Sequence, residues 1–230
     1  MYTLLTMLNC EHNQLCKQDY ILLIMSCKNY EYKAKIQKDN WLKGLPQFLI
    51  YYHVIGIPSL KTDYLFSENK KILYVRVEDD YNSLPQKVIA AYNAIDKKYK
   101  IQYIFKTDDD QEVLNIRFFE MVKTLIEKNT KEKYHYGGQV IEVLQPHYSK
   151  YHYIHNELPA NLPILPTKYC SGRFYFLSFD AVKDLLNKIT LFIDEYFEDY
   201  AIGRHLDDNL KLNILYIQSD CFLIDYKYDV

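Results

Sequence analysis

Three consecutive carboxylates, Asp108, Asp109 and Asp110, follow an apolar run of strand length, Ile101 to Phe105, after Lys106 and Thr107. Side chains alternate along an extended segment, so Asp108 and Asp110 fall on one side and together offer hard oxygen ligands. Mg²⁺ and Mn²⁺ favour such a pair, with substrate phosphate completing the shell. The implied chemistry is that of a diphosphate whose charge a divalent cation neutralises. A plainer use is also open: Asp110 as the cap of a helix beginning near Glu112, its neighbours favoured by the positive helix end.

Two other uses of an acidic run fit less well. The haloacid-dehalogenase phosphatases need Thr or Val two residues after the second Asp, early in the chain, and Glu112 stands there instead, mid-chain. A calcium loop of the EF-hand kind needs a Gly and a terminal Glu at set offsets, and neither occurs. A second acidic pair, Glu198-Asp199, offers a general base or simply an acidic first turn on the helix that follows. His147, His152 and His155 lie beside Tyr148, Tyr151 and Tyr153, with His135 a little earlier. No Cys or carboxylate takes a recognised zinc spacing with them, so this stretch reads as an exposed aromatic loop.

The elements that must position these groups alternate between β and α. Tyr20 to Ser26 is a continuous apolar run of strand length, followed by helix-like polarity over Tyr30 to Leu42. Further strands are expected at Gln47–His53, Ile72–Val77 and Ile101–Phe105, and a helix at Leu84–Lys98 with Pro85 in its first turn. Val113, Ile116, Phe119, Met121, Val122, Leu125 and Ile126 recur at helical spacing and predict a helix over 112–128. In the second half a strand is expected at 134–143, then a loop from Gln145 to Lys168, then strands at 173–178, 212–217 and 222–226 and helices at 179–189 and 199–206. Apolar strands separated by helices predict an α/β fold: a Rossmann-like, mainly parallel sheet flanked by helices, which binds ligands at the carboxyl ends of its strands. The triplet stands at such an end.

Composition fits a folded globule of 230 residues, 49% hydrophobic and 25% charged. A formal charge of −2 gives no global attraction to nucleic acid or acidic membranes. The 24 tyrosines reflect codon usage in an AT-rich genome before they imply a ring-lined cleft. No apolar run approaches the roughly 18–20 residues that cross a bilayer. Met1 to Leu8 lacks the basic flank and cleavage site of a signal peptide. Five cysteines, Cys10, Cys16, Cys27, Cys170 and Cys221, are odd in number and unpaired in spacing, so free thiols and a cytoplasmic setting are expected.

Several ordered blocks resemble one family: the inverting, metal-dependent beta-1,3-galactosyltransferases, beta-1,3-N-acetylglucosaminyltransferases and Fringe proteins, which have the GT-A fold. Lys38-Asp39-Asn40-Trp41-Leu42 is similar to its Arg-x-Thr-Trp block. Asp79 to Lys87 resembles its Asp-x-Tyr-x-Asn-Leu-x-x-Lys segment, and Tyr103 to Asp110 its Phe-x-x-Lys-Thr-Asp-Asp-Asp block. Pro166 to Ser178 is similar to Tyr-Pro-x-Tyr-x-x-Gly-x-Gly-Tyr-x-x-Ser, although Leu165 replaces the first Tyr and Phe174 the second Gly. Glu198-Asp199-Tyr200-Ala201-Ile202-Gly203 resembles Glu-Asp-Val-x-x-Gly.

The resemblance implies a single transferase domain: an extension over 1–19, a nucleotide-sugar half over 20–130 and an acceptor half over 131–230. It implies that Asp108 and Asp110 hold Mn²⁺ or Mg²⁺ and that Asp199 is the catalytic base. Ser26, Lys38, Asp79, Lys87, Asp108, Asp109, Ser171, Gly172 and Glu198 become candidates for binding the sugar-nucleotide donor. The family's downstream metal-ligating His has no counterpart after His205, and the sequence stops at Val230. That leaves Asp220, Asp225 or water to complete the shell, since His205 lies six residues after Asp199, nearly two turns along the same expected helix.

The expected activity is transfer of a hexose or N-acetylhexosamine from a UDP-sugar to an acceptor hydroxyl on a glycan or glycoprotein, with inversion and a beta-1,3 linkage. The family's usual membrane anchor is missing, which suggests a cytosolic enzyme such as one encoded by a large DNA virus or a protist. The rivals are a catalytically silent nucleotide-sugar or glycan-binding module of the same fold, and a metal phosphohydrolase.

Overall fold

The computed structural model describes residues 15–129 and 132–226. Cys10 and most of the 1–19 extension lie outside the described residues, as do residues 130–131, where the two expected halves meet. The principal elements, in chain order, begin with β1 (Tyr20–Met25), α1 (Glu31–Asp39), β2 (Leu49–Gly56), β3 (Tyr64–Ser67), β4 (Ile72–Val75) and α2 (Leu84–Lys98). They continue with β5 (Tyr103–Asp108), β6 (Gln111–Val113), α3 (Phe118–Lys128), β7 (Tyr136–Val143), β8 (Thr167–Ser178), α4 (Phe179–Leu186), α5 (Glu198–His205), β9 (Ile214–Tyr216) and β10 (Leu223–Asp225).

Eight strands form one sheet in the order β9, β7, β8, β5, β1, β2, β4, β3. Strands β5, β1, β2 and β4 are a parallel block, as the alternation of apolar runs and helices requires. Strand β8 runs antiparallel to both its neighbours, so the second half of the sheet is mixed.

Each face of the sheet carries its own core, and β1 supplies both. Ile21, Leu23 and Met25 pack with α2, α4 and α5, while Tyr20, Leu22 and Ile24 pack with Trp41 and α3. Period-two alternation therefore decides which layer every residue of the central strands meets.

Two expected elements are corrected and one strand is added. The helix expected over 112–128 begins only at Phe118, because Gln111–Val113 is extended and pairs antiparallel with β10. Val113 and Ile116 owe their apolar character to the Trp41 layer and not to a helical turn. The expected loop 145–168 overlaps the start of β8 and contains a small hairpin, His147–Tyr148 against Pro163–Ile164. Edge strand β3 was not anticipated; it pairs antiparallel with β4.

Helix α5 lies against β8 with no side chain between them at Gly203. A Cβ there would stand 2.3 Å from Tyr169 Cβ and 2.6 Å from the Lys168 carbonyl oxygen. Gly203→Ala should therefore push α5 off the sheet. The expected cost is about 1–3 kcal/mol, seen as a Tm lower by about 2–4 °C per kcal/mol in a chain of this size.

Candidate active site

A cavity of about 1500 Å³ opens at the carboxyl ends of the parallel strands. Its wall includes the acidic triplet, the ends of β1 and β8, the first turn of α5 and the 141–157 segment. The triplet, Asp199 and every residue expected to bind the donor line it except Lys38, whereas His205, Asp220 and Asp225 do not.

Strand alternation carries Ile104, Lys106 and Asp108 to the α2/α5 layer. Ile104 is buried there in the core, and Lys106, 1% exposed, meets carboxylates. Its ammonium lies 2.8 Å from Asp108 Oδ1 and 2.9 Å from Glu198 Oε2, and it donates to the Gly172 carbonyl oxygen at 2.8 Å. Those three acceptors use all three N–H donors. Burial opposes the charge on Lys106, but Asp108 and Glu198 outweigh it and hold the ammonium charged. Glu198 also accepts from Tyr175 Oη, which shares a 2.8 Å hydrogen bond with Tyr92 Oη of α2.

Gly172 couples this cluster to the next residue of α5. Its carbonyl accepts a hydrogen bond from the Lys106 ammonium while its N–H donates to Asp199 Oδ2 at 2.9 Å. The strand is free to present this peptide because the pairing of β8 with β7 shifts register between Cys170 and Tyr175, leaving Ser171 and Gly172 turned into the cavity. Burial raises the Asp199 carboxyl above its ordinary range, and Lys106 with the N–H groups of Gly172 and Tyr200 pulls part of that back. Glu198 and Asp199 do occupy the first turn of α5, so the plain helix-end use of the pair and its place in the cavity coexist.

The triplet itself is held from behind. Gln37 Nε2 of α1 donates to the carbonyls of Asp108 (3.2 Å) and Gln111 (3.0 Å), and Trp41 Nε1 donates to Gln111 (3.2 Å). Gln37 Oε1 is fixed in turn by His53 Nε2 at 2.9 Å; burial lowers the His53 pKa to about 3, so the ring stays neutral. Asp110 does not cap a helix, because α3 starts after Arg117. Instead its carbonyl accepts from Tyr226 N at 2.6 Å, and Gln111 Nε2 bridges Asp110 Oδ1 (2.9 Å) and Asp225 Oδ1 (3.0 Å).

Around the end of β1, Asp109 Oδ2 accepts from Ser26 Oγ at 2.8 Å and Oδ1 faces Lys33 at 3.5 Å. Asp79 accepts from the N–H groups of Lys28 (2.7 Å) and Gly56 (2.8 Å) and pairs with buried Lys87 at 2.7 Å. Lys87 also donates to the Ser26 carbonyl at 3.0 Å, which makes it a brace between two cavity-lining segments. Sequence reasoning gave Lys33, Lys106 and Tyr81 no role in the site; only the strand register of Lys106 hinted at one.

Lys38 is placed elsewhere. Its ammonium donates to the Lys70 carbonyl at 2.7 Å and does not line the cavity. His205 is also remote from the triplet, bonded to Glu195 at 2.6 Å and packed on Phe192. Asp225 and Asp220 face Arg173, at 3.0 and 3.6 Å. The 145–168 segment crosses the cavity mouth: His155 stacks on Tyr81 with ring centroids 4.4 Å apart, and Asn82 Nδ2 donates to the Glu157 carbonyl at 2.9 Å.

As a cation site the arrangement suits one class of metal. Asp108 Oδ1 and Asp110 Oδ1 carry the protein contacts, leaving each carboxylate a second oxygen at the cavity wall. Among the described residues no three His, Cys, Asp or Glu side chains form a metal-holding group. Two hard carboxylates without a closed cage fit Mg²⁺ or Mn²⁺, which draw remaining ligands from water and substrate phosphate, and do not fit a four-ligand zinc centre. Burial, with Glu198 and Asp110 adding to it, raises the Asp108 carboxyl to about 6 against the pull of Lys106, although 31% of the side chain is still exposed to the cavity.

Residues 29–216 match the family model described as Galactosyltransferase. The matched stretch takes in Gln37, Trp41, the triplet, Gly172 and Asp199. No curated protein sequence matches the chain. Among solved structures it is similar to a glycosyltransferase involved in the glycosylation of the major capsid of PBCV-1, at TM-score 0.48 and 10% identity, covering 87% of this chain and 83% of that one. It is also similar to a 4-diphosphocytidyl-2C-methyl-D-erythritol synthase, at TM-score 0.46 and 11% identity over 92% and 94% of the two chains. A third similar structure is the glycosyltransferase GlyE of Streptococcus pneumoniae TIGR4, at TM-score 0.46 and 7% identity, covering 89% of this chain and 46% of that one. Among the described residues no helix is long and apolar enough to cross a membrane.

The clamp on the triplet makes a prediction of its own. Gln37→Leu removes three hydrogen bonds, two of them fully buried, and takes a partner from His53 and from the Asp108 carbonyl, while Trp41 still donates to Gln111. It should cost about 1–3 kcal/mol in urea unfolding and also loosen the Asp108–Gln111 turn. Lys38→Ala, on the same helix, should leave stability within about 0.5 kcal/mol.

Proposed function

This chain belongs to the galactosyltransferase family, and from that premise we propose that it is a metal-dependent, inverting glycosyltransferase that moves a hexose or N-acetylhexosamine from a UDP-sugar to an acceptor hydroxyl, in beta-1,3 linkage. One observation carries the proposal: Asp199, Asp108 and Asp110 line one cavity, and Asp199 is tied to Asp108 through Gly172 and Lys106. A direct displacement needs a proton acceptor for the incoming hydroxyl and separate charge stabilisation for the leaving diphosphate.

In this reading residues 20–130 bind the donor and 131–230 the acceptor. Asp108 and Asp110 hold Mn²⁺ or Mg²⁺, which supplies charge neutralisation to the departing UDP. Ser26, Asp79 and Asp109 stand at the end of β1, where the nucleoside enters. Lys87 is a brace for that corner in place of a phosphate ligand. Ser171 and Gly172 line the sugar side.

Asp199 takes the acceptor proton. The Gly172 N–H keeps Oδ2 of this carboxylate oriented, and burial raises its basicity, so it accepts a hydroxyl proton more readily than an exposed aspartate. The opposing pull of Lys106 and the two N–H groups offsets part of that rise.

A panel of UDP-sugars with Mn²⁺, scored by UDP release and by calorimetric donor binding, tests the proposal. One donor should give metal-dependent release that is lost in Asp110→Ala. Asp199→Asn should lower kcat by about 10²–10⁴-fold while donor affinity changes little. Tight donor binding with no release, with glycan acceptors supplied, would instead favour the silent binding module. Phosphate release without any acceptor requirement would favour a phosphohydrolase. On pH, a raised Asp108 carboxyl takes up its proton as pH falls through about 6. Metal-dependent donor binding should weaken over that window, and the acid limb of kcat should lie above the ordinary aspartate range.

A further inference from the structure

The reaction proposed above uses Asp108, Asp110 and Asp199, yet the most thoroughly enclosed charge in the cavity wall is a lysine that no step requires. Lys106 has spent its three N–H groups on Asp108, Glu198 and Gly172, at 2.8, 2.9 and 2.8 Å. We propose that Lys106 is the internal counter-ion against which a divalent cation competes at Asp108, and that the same ammonium, acting through Gly172, sets the position of Asp199. It is a positioning residue, and the inference rests on the metal-dependent reading given above.

The argument is electrostatic and geometric. A cation that binds Asp108 is brought close to an ammonium already 2.8 Å from that carboxylate. At 1% exposure the ammonium has no water to retreat into, and its other anionic partner, Glu198, is itself buried and shared with Tyr175. Like charges at a few ångströms in a desolvated site repel strongly, so the cation alone is held weakly. A nucleotide diphosphate adds negative charge and tips the balance, so cation and donor are retained together. Gly172 adds the geometric half, since one peptide group receives Lys106 on its carbonyl and offers its N–H to Asp199.

The test is Mn²⁺ binding to the full chain without nucleotide, read from the free-Mn²⁺ electron paramagnetic resonance signal. Lys106→Met should bind Mn²⁺ more tightly by on the order of tenfold, the reverse of what a damaged fold would do. Glu198→Gln leaves the Lys106 charge to Asp108 alone and should weaken Mn²⁺ several-fold. Lys106→Arg keeps the charge but not the three-way fit, so its Mn²⁺ affinity should stay near wild type while turnover falls at least tenfold.

Where circular dichroism shows that Lys106→Met does not fold, Glu198→Gln decides. Folded variants with unchanged Mn²⁺ affinity, or a folded Lys106→Met that binds Mn²⁺ more weakly, would overturn the inference and leave the transferase reading intact. A wild-type chain that binds no Mn²⁺ even with UDP would overturn both.

Discussion

A buried ammonium cannot be left unpaired, and satisfying the one on Lys106 constrains most of this site. The cost of removing such a charge from water is several kcal/mol, repaid only when every N–H finds an acceptor in good geometry. Here the three acceptors come from three separate places in the chain: the end of β5, the irregular stretch of β8 and the first turn of α5. The folded state must bring all three within reach of one nitrogen. In doing so it also brings together the carboxylates proposed to hold the cation and the one proposed to take the acceptor proton.

The rest of the architecture supports that convergence from two sides. On the α2/α5 face, Gly203 lets α5 approach β8 backbone to backbone, and the Tyr92–Tyr175–Glu198 hydroxyl chain fixes the far oxygen of Glu198. On the opposite face, Gln37, His53 and Trp41 hold the carbonyls of the acidic turn, and β10 pins Asp110 and Gln111 from the C-terminal side. The turn is thus gripped by its backbone while its side chains stay available. Trp41 and Gln37 give the Lys38–Leu42 region a structural purpose that Lys38 itself does not share.

The mouth of the cavity is built differently. Its aromatic wall comes from the 145–168 segment, which meets the stretch before α2 through the His155–Tyr81 stack and the Asn82–Glu157 contact. The same segment also reaches α5 and the residue before it, through Tyr151 against Phe197 and the Leu165 N–H donated to Tyr200 Oη.

Much of this was legible in the sequence. Continuous apolar runs gave the parallel block, and helix α2 has the bounds its composition and Pro85 suggest, because burial on both faces and a good helical start are local properties. The ordered blocks pointed to the family and to the carboxylates. Local pattern failed where tertiary contact supplied the reason for a residue's character. Val113 and Ile116 looked helical because they are apolar at the right interval, but they serve the Trp41 layer from a strand and from the turn before α3. Lys38 looked like a phosphate ligand because of its neighbours, yet its helix face turns it to Lys70. Lys106 passed as one more polar residue after a strand, and only the alternation of β5 against α5 shows its charge to be buried and fully paired. The residue types thus fixed the available chemistry, while the distances between carboxylates, ammonium and peptide groups were decided by packing, because each is set by segments far apart in the chain.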